Sequence, residues 1–208
     1  MFVIAGPPGG GKSSVFSLSD SGVQDFFNAD DRAAQLNGGS YRNISPEIRA
    51  ITNREFEQFI ASHTRDRKDF AFETTLRSTI TFEQAARDQG FEVSMRFVAL
   101  RNAEMHIARV IARAESGGHS ASPERIRAIY EASLRNLRRA LANFENVSVY
   151  DNSATTGIGP QLVLRTLDRC PTFLTLRAPR WLNDALRTIA YHLDRVRLEL
   201  DSEIGLSL

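Results

Sequence analysis

The sequence predicts an α/β fold in which a largely parallel β-sheet is flanked by helices. Short apolar runs rich in β-type residues alternate with stretches of helical periodicity, which is the pattern of βαβ units. Several runs end directly in a glycine-rich or acidic segment, and ligands of such sheets bind beyond the carboxyl ends of the strands. The length of 208 residues suits one core with an appendage. We therefore expect a core over residues 1–155 and a C-terminal extension over residues 156–208 that packs on it.

Composition and charge exclude several classes of function. Hydrophobic residues make up 42% and charged residues 25% of the chain, as in ordinary globular proteins. The net charge of +1 offers no bulk field for nucleic acid or for an anionic membrane. A single cysteine, Cys170, rules out an intrachain disulfide and favours a reducing compartment. We expect a cytoplasmic protein, because no apolar run could span a bilayer and no cleavable signal precedes the first strand.

The first apolar run, residues 1–5, leads into a segment that fits G-x-x-x-x-G-K-[ST], the pattern of a phosphate-binding P-loop. Glycine lets the backbone curl so that successive N–H groups point inward, and a helix predicted over residues 13–18 would add its positive end. Lys12 supplies a charge for the β- and γ-phosphates, and the Ser13 hydroxyl is placed to bind Mg²⁺. The alternative is a plain glycine-rich turn, but strand, motif and helix coincide here, and the chain has only one other lysine, Lys68. The predicted nucleotide-binding residues are Gly6, Pro7, Pro8, Gly9, Gly10, Gly11, Lys12, Ser13 and Ser14.

Four further apolar runs predict strands, and polar side chains follow three of them. These runs are residues 24–31, 70–72, 91–100 and 147–150. Asp30 and Asp31 close the first run, Glu73 follows the second and Asp151 follows the fourth. Because the carboxyl ends of parallel strands meet at one edge of a sheet, we expect these side chains in one crevice with the P-loop.

Stretches of helical periodicity separate the strands. They predict helices over residues 45–64, 78–89, 102–117 and 123–144. Ser45 and Asn102 fit the N-cap position, and Gly90 fits a helix end. The tail predicts a hairpin over residues 162–176, with its turn at 168–171, and an amphipathic helix over 180–200. We interpret that last helix as packed on the domain, with partner binding as the alternative.

The acidic residues are candidates for handling an acceptor. Phosphoryl transfer needs a group that takes the proton of the acceptor hydroxyl, and Asp30 or Asp31 can be this base while the other caps the next helix or touches Mg²⁺ through water. The alternative is that both only cap. Glu73 and Thr74 can bind acceptor hydroxyls, whereas Glu57 is either a second acidic contact or an ordinary surface residue.

A pair of arginine-bearing helices predicts a lid. Arg109 and Arg113 are four residues apart on one helix face, and Arg125 and Arg127 follow the Gly-Gly break at 117–118. We expect a mobile lid over residues 109–127 that closes arginines on phosphates. Two ordinary surface helices are the alternative.

The motifs, taken in chain order, resemble the zeta toxin family over residues 1–153. They comprise residues 6–13, 27–31, 72–76, 90–93, 109–119, 133–137 and 150–153. The resemblance implies a P-loop kinase that uses ATP and Mg²⁺. Characterised toxins of this family phosphorylate a hydroxyl of UDP-N-acetylglucosamine and are held inactive by an epsilon-type antitoxin.

The resemblance also implies roles for individual residues. Lys12 and Ser13 match the phosphate and Mg²⁺ ligands, and Asp30 matches the catalytic aspartate. Glu73 matches the acidic residue that contacts the sugar, and Glu57 has the spacing of a second acidic contact.

The arginines match the family in part. Arg113 matches the phosphate-contacting arginine before the lid. Arg127 matches the first residue of an Arg-Arg-Arg-aromatic run, but Ala128 and Ile129 replace the next two arginines. Arg125 is therefore an alternative contact.

Three other functions remain open at this point. A metabolic kinase of the gluconate or shikimate type, or an antibiotic phosphotransferase, would share the P-loop and the acidic base. A regulator could bind nucleotide without transferring phosphate. A nucleic-acid end kinase is weaker, because the near-neutral chain offers no basic track.

Overall fold

One β-sheet organises the molecule. The computed structural model of the chain describes residues 1–15, 23–77, 90–115, 121–154 and 158–189. Within these ranges seven strands lie side by side in the order β2-β3-β1-β4-β5-β6-β7. Strands β1 to β5 are parallel, and β6 and β7 join antiparallel at one edge. The strands are β1 (Phe2–Ala5), β2 (Asp25–Phe27), β3 (Phe70–Thr74), β4 (Ser94–Ala99), β5 (Asn146–Asp151), β6 (Gln161–Leu167) and β7 (Cys170–Leu174). The predicted α/β fold with a largely parallel sheet is confirmed.

The parallel strands are apolar because they are buried on both faces. Val3, Phe70, Phe72 and Phe97 are fully inaccessible to solvent and belong to one core cluster. Burying side chains of this size contributes about 1.5–3 kcal/mol each. The sheet therefore gives the strand ends a rigid base.

Helices cover the sheet. They are α1 (Ala29–Leu36), α2 (Pro46–Asp66), α3 (Ala103–Glu115), α4 (Pro123–Asn143) and α5 (Asn183–Thr188), with 3₁₀ turns at Lys12–Ser14 and Arg180–Leu182. Ser45 caps α2 by accepting the Ile48 N–H at 3.3 Å, and Asn102 accepts the Met105 N–H at the start of α3 at 3.0 Å. Both predicted caps are thus present. None of the helices in the described ranges is long and apolar enough to cross a membrane.

Some predicted helices fall wholly or partly outside the described residues. These are the helix at 78–89, the Gly-Gly break at 117–118, the end of the P-loop helix beyond residue 15 and the tail beyond residue 189. The described start of the P-loop helix is a single 3₁₀ turn.

The C-terminal hairpin has a tighter turn than the sequence predicts. Only Asp168 and Arg169 form the turn, with φ of 49° and 66°, and Cys170 and Pro171 already belong to β7. Two positive φ values give the turn a twist that matches the twist of the strands. Pro171 is compatible with β7 because an edge strand needs no second ladder hydrogen bond.

The segment after the hairpin packs against the same core as the parallel strands. Leu182, Ala185 and Ile189 are buried in one cluster with side chains of β1 and α4. The Trp181 ring lies 6.3 Å from the ring of Phe97, and its indole N–H donates to the carboxylate of Asp151 at 3.4 Å. The start of the tail is therefore tied to β4 and β5.

Candidate active site

The carboxyl ends of the five parallel strands form one edge of the sheet. The P-loop follows β1, the turn into α1 follows β2, and Glu73 lies near the end of β3, between them. Adjacent strands are about 4.8 Å apart, so the ends of β2 and β1 are about 10 Å apart. This spacing leaves room for a transferring phosphoryl group and an acceptor hydroxyl between the two strands.

The P-loop needs glycine where its backbone turns. Gly6, Gly9 and Gly11 have φ of 142°, 73° and 91°, values that side chains resist. A Cβ on Gly6 would overlap the Val98 carbonyl, and a Cβ on Gly9 would meet the His106 carbonyl oxygen at 2.9 Å. The loop therefore lies directly on the end of β4 and the start of α3.

Backbone N–H groups in the loop are open to an anion. Those of Gly9, Gly11, Lys12 and Ser13 have no acceptor within the described ranges. By contrast, the Gly10 N–H bonds to the Pro7 carbonyl at 3.2 Å. Successive amides of this kind, with a lysine beside them, are an anion-binding arrangement.

Lys12 joins the P-loop to β3. Its Nζ donates to the Gly6 carbonyl at 3.1 Å and lies 3.4 Å from the Glu73 Oε1 atom. The two side chains are only 10% and 22% exposed. The structure thus places the phosphate-loop lysine against an acid from the neighbouring strand.

Asn28 caps α1, so the capping role considered for Asp30 and Asp31 is wrong. The Asn28 side-chain oxygen accepts the Asp30 N–H at 2.9 Å and the Asp31 N–H at 3.3 Å. Both aspartates therefore lie in the first turn of α1, where the helix dipole favours negative charge. With capping done by Asn28, both carboxylates are left for other contacts.

The two aspartates differ in their contacts. The Tyr41 hydroxyl donates to Asp31 Oδ1 at 2.8 Å, and this hydrogen bond is the main reason that the pKa of Tyr41 is raised. The charge of Arg113 acts to lower the pKa of Tyr41, and the charge of Asp30 acts to raise it. Asp31 is engaged by the loop after α1, whereas Asp30 has no side-chain partner among the described residues.

Two other predicted acceptor contacts are less central. Glu57 is exposed on α2 and has no ion pair with a described residue, while its neighbour Glu55 pairs with Arg32 at 2.7 Å. The Thr74 hydroxyl accepts the Leu76 N–H at 3.1 Å and so shapes the turn after β3. This turn is also held from α4, where Asn136 donates to the Leu76 carbonyl at 2.7 Å.

The arginines divide between two places. Arg109 donates to the Asn152 carbonyl at 2.8 Å beside the P-loop. Arg113 lies on the Tyr41 side, because Arg42, the residue after Tyr41, donates to the carbonyl of Ala114, the residue after Arg113, at 2.9 Å. Arg127 pairs with Glu104 at 2.9 Å on the surface, and Arg125 is exposed. Helix α3 therefore brings two of the four predicted arginines to the site region. Arg127, on α4, is instead paired at the surface.

Two residues behind the P-loop were not predicted as functional. Asn152 donates its side-chain N–H to the Gly10 carbonyl at 3.0 Å. The buried His106 contacts the Pro8 carbonyl oxygen at 2.7 Å, and burial lowers its pKa to about 4. The motif at residues 150–153 could have pointed to Asn152, because it lies at the end of a strand. No motif or spacing singles out His106, which lies within a helical stretch.

The site fits a magnesium ion bound mainly through a nucleotide. No group of three or more His, Cys, Asp or Glu side chains in the described ranges could hold a metal. Mg²⁺ in nucleotide sites uses one or two protein ligands, waters and substrate phosphates instead of a full protein cage. The exposed Ser13 hydroxyl is the protein ligand that would hold such an ion.

The family follows from comparison with known proteins. The zeta toxin family model matches residues 1–158. The chain belongs to the zeta toxin family. A protein of Haemophilus influenzae with no assigned function is 30% identical over 116 residues, which are 55% of this chain and 80% of that protein. The family resemblance read from the motifs is thereby confirmed.

Solved structures share the fold of this zeta toxin family member. One, from the PezAT chromosomal toxin–antitoxin system of Streptococcus pneumoniae, has a TM-score of 0.60 and 16% identity, covering 93% of this chain and 87% of that one. Another, the AvrRxo1-ORF1:-ORF2 complex with ATP, has a TM-score of 0.59 and 15% identity, covering 80% of this chain and 57% of that one. At these identities the likeness shows the fold.

Proposed function

We propose that the protein is an ATP-dependent phosphotransferase that moves the γ-phosphoryl group to a hydroxyl of a small molecule, a nucleotide sugar such as UDP-N-acetylglucosamine. The observation that carries this proposal is the contact between Lys12 and Glu73 at 3.4 Å. This contact supports the proposal because Lys12 is the lysine of the P-loop motif and the Glu73 carboxylate can accept hydrogen bonds from hydroxyl groups. Family membership supports the same reaction class.

ATP would bind through the P-loop. The open amides of Gly9, Gly11 and Ser13 would cradle the phosphates, and Lys12 would contact the β- and γ-phosphates. The Ser13 hydroxyl would hold Mg²⁺, which when bound neutralises charge on the phosphates. The likeness to a complex solved with ATP supports this choice of nucleotide.

Asp30 is the proposed general base. It accepts the proton of the acceptor hydroxyl as that oxygen bonds to the γ-phosphorus, while the bond from phosphorus to the bridging oxygen breaks and ADP leaves. Asp31 is the weaker candidate because Tyr41 already donates to it. Arg113, near the end of α3 that Arg42 contacts, is the arginine proposed to offset charge on the transferring group.

Glu73 has a proposed double role. Without nucleotide, the Glu73 carboxylate forms an ion pair with Lys12. When ATP binds, its phosphates would replace Glu73 as the partner of Lys12, because they carry more negative charge. The carboxylate of Glu73 is then free to accept hydrogen bonds from acceptor hydroxyls. This exchange predicts that ATP binds before the acceptor.

The likenesses also support a protein partner. One structure comes from a toxin–antitoxin system and the other is a complex of two gene products. We propose that a small antitoxin protein binds this chain and blocks turnover. Addition of the product of a neighbouring gene should then abolish the kinase activity.

A turnover assay tests the proposal. The purified protein is mixed with ATP and Mg²⁺ and with UDP-N-acetylglucosamine, gluconate or shikimate in parallel, and phosphorylated product is detected by mass spectrometry. Phosphorylation of the nucleotide sugar, lost in the Lys12→Ala and Asp30→Asn variants, is the expected result. Transfer to gluconate or shikimate alone would make it a metabolic kinase.

Binding of ATP without transfer would favour a regulator. Two observations favour this second candidate: Ala128 and Ile129 stand where the family has arginines, and Arg127 is paired with Glu104. Titration calorimetry with ATP separates this outcome from a complete lack of nucleotide binding.

A further inference from the structure

His106 lies behind the P-loop with both ring nitrogens occupied. It is fully buried in α3, its Nδ1 is 2.7 Å from the Pro8 carbonyl oxygen, and its Nε2 is 3.0 Å from the Leu100 backbone nitrogen. The Leu100 N–H can only donate, so Nε2 accepts. The ring proton is therefore on Nδ1 and is donated to Pro8.

We propose that His106 is a positioning residue that sets the P-loop for phosphate, an inference that rests on the proposed nucleotide binding. The carbonyl and the N–H of one trans peptide point in opposite directions. Holding the Pro8 carbonyl toward α3 therefore turns the Gly9 N–H the other way, out of α3 and into the loop. It also keeps a partly negative oxygen away from the phosphates.

The ring of His106 also packs against α4. The ring of Tyr130 on α4 lies 5.2 Å from it, and the Tyr130 hydroxyl donates to the carbonyls of Leu100 and Arg101 at 3.4 Å and 3.3 Å. A Cβ on Gly10 would come within 3.4 Å of the imidazole. The loop, the end of β4 and both helices thus hold the ring in one orientation.

Two substitutions separate the two hydrogen bonds. In His106→Asn the amide nitrogen can occupy the position of Nδ1 and donate to Pro8, whereas in His106→Gln the amide oxygen can occupy the position of Nε2 and accept from Leu100. We expect the dissociation constant for ATP to stay within about threefold of wild type in the Asn variant and to rise at least tenfold in the Gln variant. Tyr130→Phe is the control, because it keeps the ring packing and touches no loop atom.

The outcomes distinguish this inference from the proposed function. Equal ATP affinity in both His106 variants, or the same loss in both, overturns the positioning role while leaving nucleotide binding intact. A wild-type protein that binds no ATP overturns both.

A measurement on the wild-type protein avoids reliance on the stability of the variants. In nuclear magnetic resonance spectra, ATP should shift the Gly9 amide and the His106 Nδ1–H resonances together. An unchanged His106 resonance alongside shifted loop amides would overturn the positioning role.

Discussion

At the scale of single residues, the two lysines of the chain lie in opposite surroundings. Lys12 is nearly buried between the P-loop and Glu73, whereas Lys68 is exposed after α2. We expect Lys12→Ala to weaken ATP binding about 10- to 100-fold, the value of a charge-assisted hydrogen bond to phosphate, and Lys68→Ala to leave it unchanged. Titration calorimetry measures both. An affinity of Lys12→Ala close to that of wild type would reject the P-loop as the nucleotide site.

The two neighbouring aspartates give a second contrast between residues. Asp30→Asn should lower kcat about a hundredfold or more while ATP affinity is kept, as expected when a general base is removed. Asp31→Asn should cost less, because Asp31 serves as the acceptor for Tyr41. Steady-state kinetics on the best acceptor measures both variants. A dead Asp31→Asn with an active Asp30→Asn would move the base to Asp31.

Only some residues of the candidate site could be predicted from local sequence patterns. The P-loop and Glu73 could be predicted because each follows an apolar run that reads as a strand. Asn28 was missed as the N-cap because Asn and Asp are equally good N-cap residues. The choice among Asn28, Asp30 and Asp31 depends on where the helix begins, which the sequence does not show. His106 meets Pro8 across 98 positions of sequence, and a contact of that range leaves no local pattern.

At the scale of elements, most strand and helix positions were predictable because burial dictates their periodicity. Helix α1 (Ala29–Leu36) was missed, and the strand predicted over residues 24–31 is wrong at its end, because β2 stops at Phe27 and Asn28 already caps the helix. The parallel strands show as apolar runs, and α2 and α4 begin at Ser-Pro pairs. The hairpin turn was placed too widely because Pro171 reads as a turn residue, although an edge strand accepts it. The order of the strands was not predictable, since only the packing of the crossovers fixes it.

Helix α3 is the element through which closure can be tested. It carries Arg109 at the P-loop and Arg113 on the Tyr41 side, and its last turn accepts a hydrogen bond from Arg42, at 2.9 Å to the Ala114 carbonyl. We expect Arg113→Lys to lower kcat/KM at least tenfold, because a lysine keeps the charge but not the planar fork that holds two phosphate oxygens.

The matched control for this change is Arg135→Lys on α4, an exposed arginine that pairs with Glu131 at 4.0 Å. Its kcat/KM should equal that of wild type. ATP with Mg²⁺ should also slow hydrogen exchange across α3. Full activity of Arg113→Lys, together with hydrogen exchange in α3 that ATP does not change, would contradict the prediction that this helix is part of a lid.

At the scale of the whole molecule, the site is joined from parts far apart in the chain. β2 and β3 bring the acidic residues, β1 brings the P-loop, and the segments after β4 and β5 hold that loop from behind through His106 and Asn152. Order in the P-loop therefore depends on the folding of the entire sheet. Loss of a buried contact made to the loop itself, such as that of His106 with Pro8 or of Asn152 with Gly10, should appear both in global stability and in nucleotide affinity.

Global stability should depend on pH through His106. Burial lowers the pKa of this histidine from its ordinary value of 6.5 to about 4 in the folded protein. Between these two values the unfolded chain binds the proton and the folded protein does not, so protonation favours unfolding and the free energy of unfolding falls as the pH falls. The shift corresponds to a loss of about 3 kcal/mol from about pH 7 to about pH 4.

Urea denaturation followed by circular dichroism measures this loss. The His106→Asn variant cannot take up the proton, so its free energy of unfolding should change less over the same range, although it starts lower because the bond to Leu100 is gone. The difference between the two pH profiles isolates His106 from the carboxylates, which titrate in both proteins. Parallel profiles would mean that the folded protein takes up this proton as readily as the unfolded chain does, although protonated Nε2 could no longer accept the Leu100 N–H.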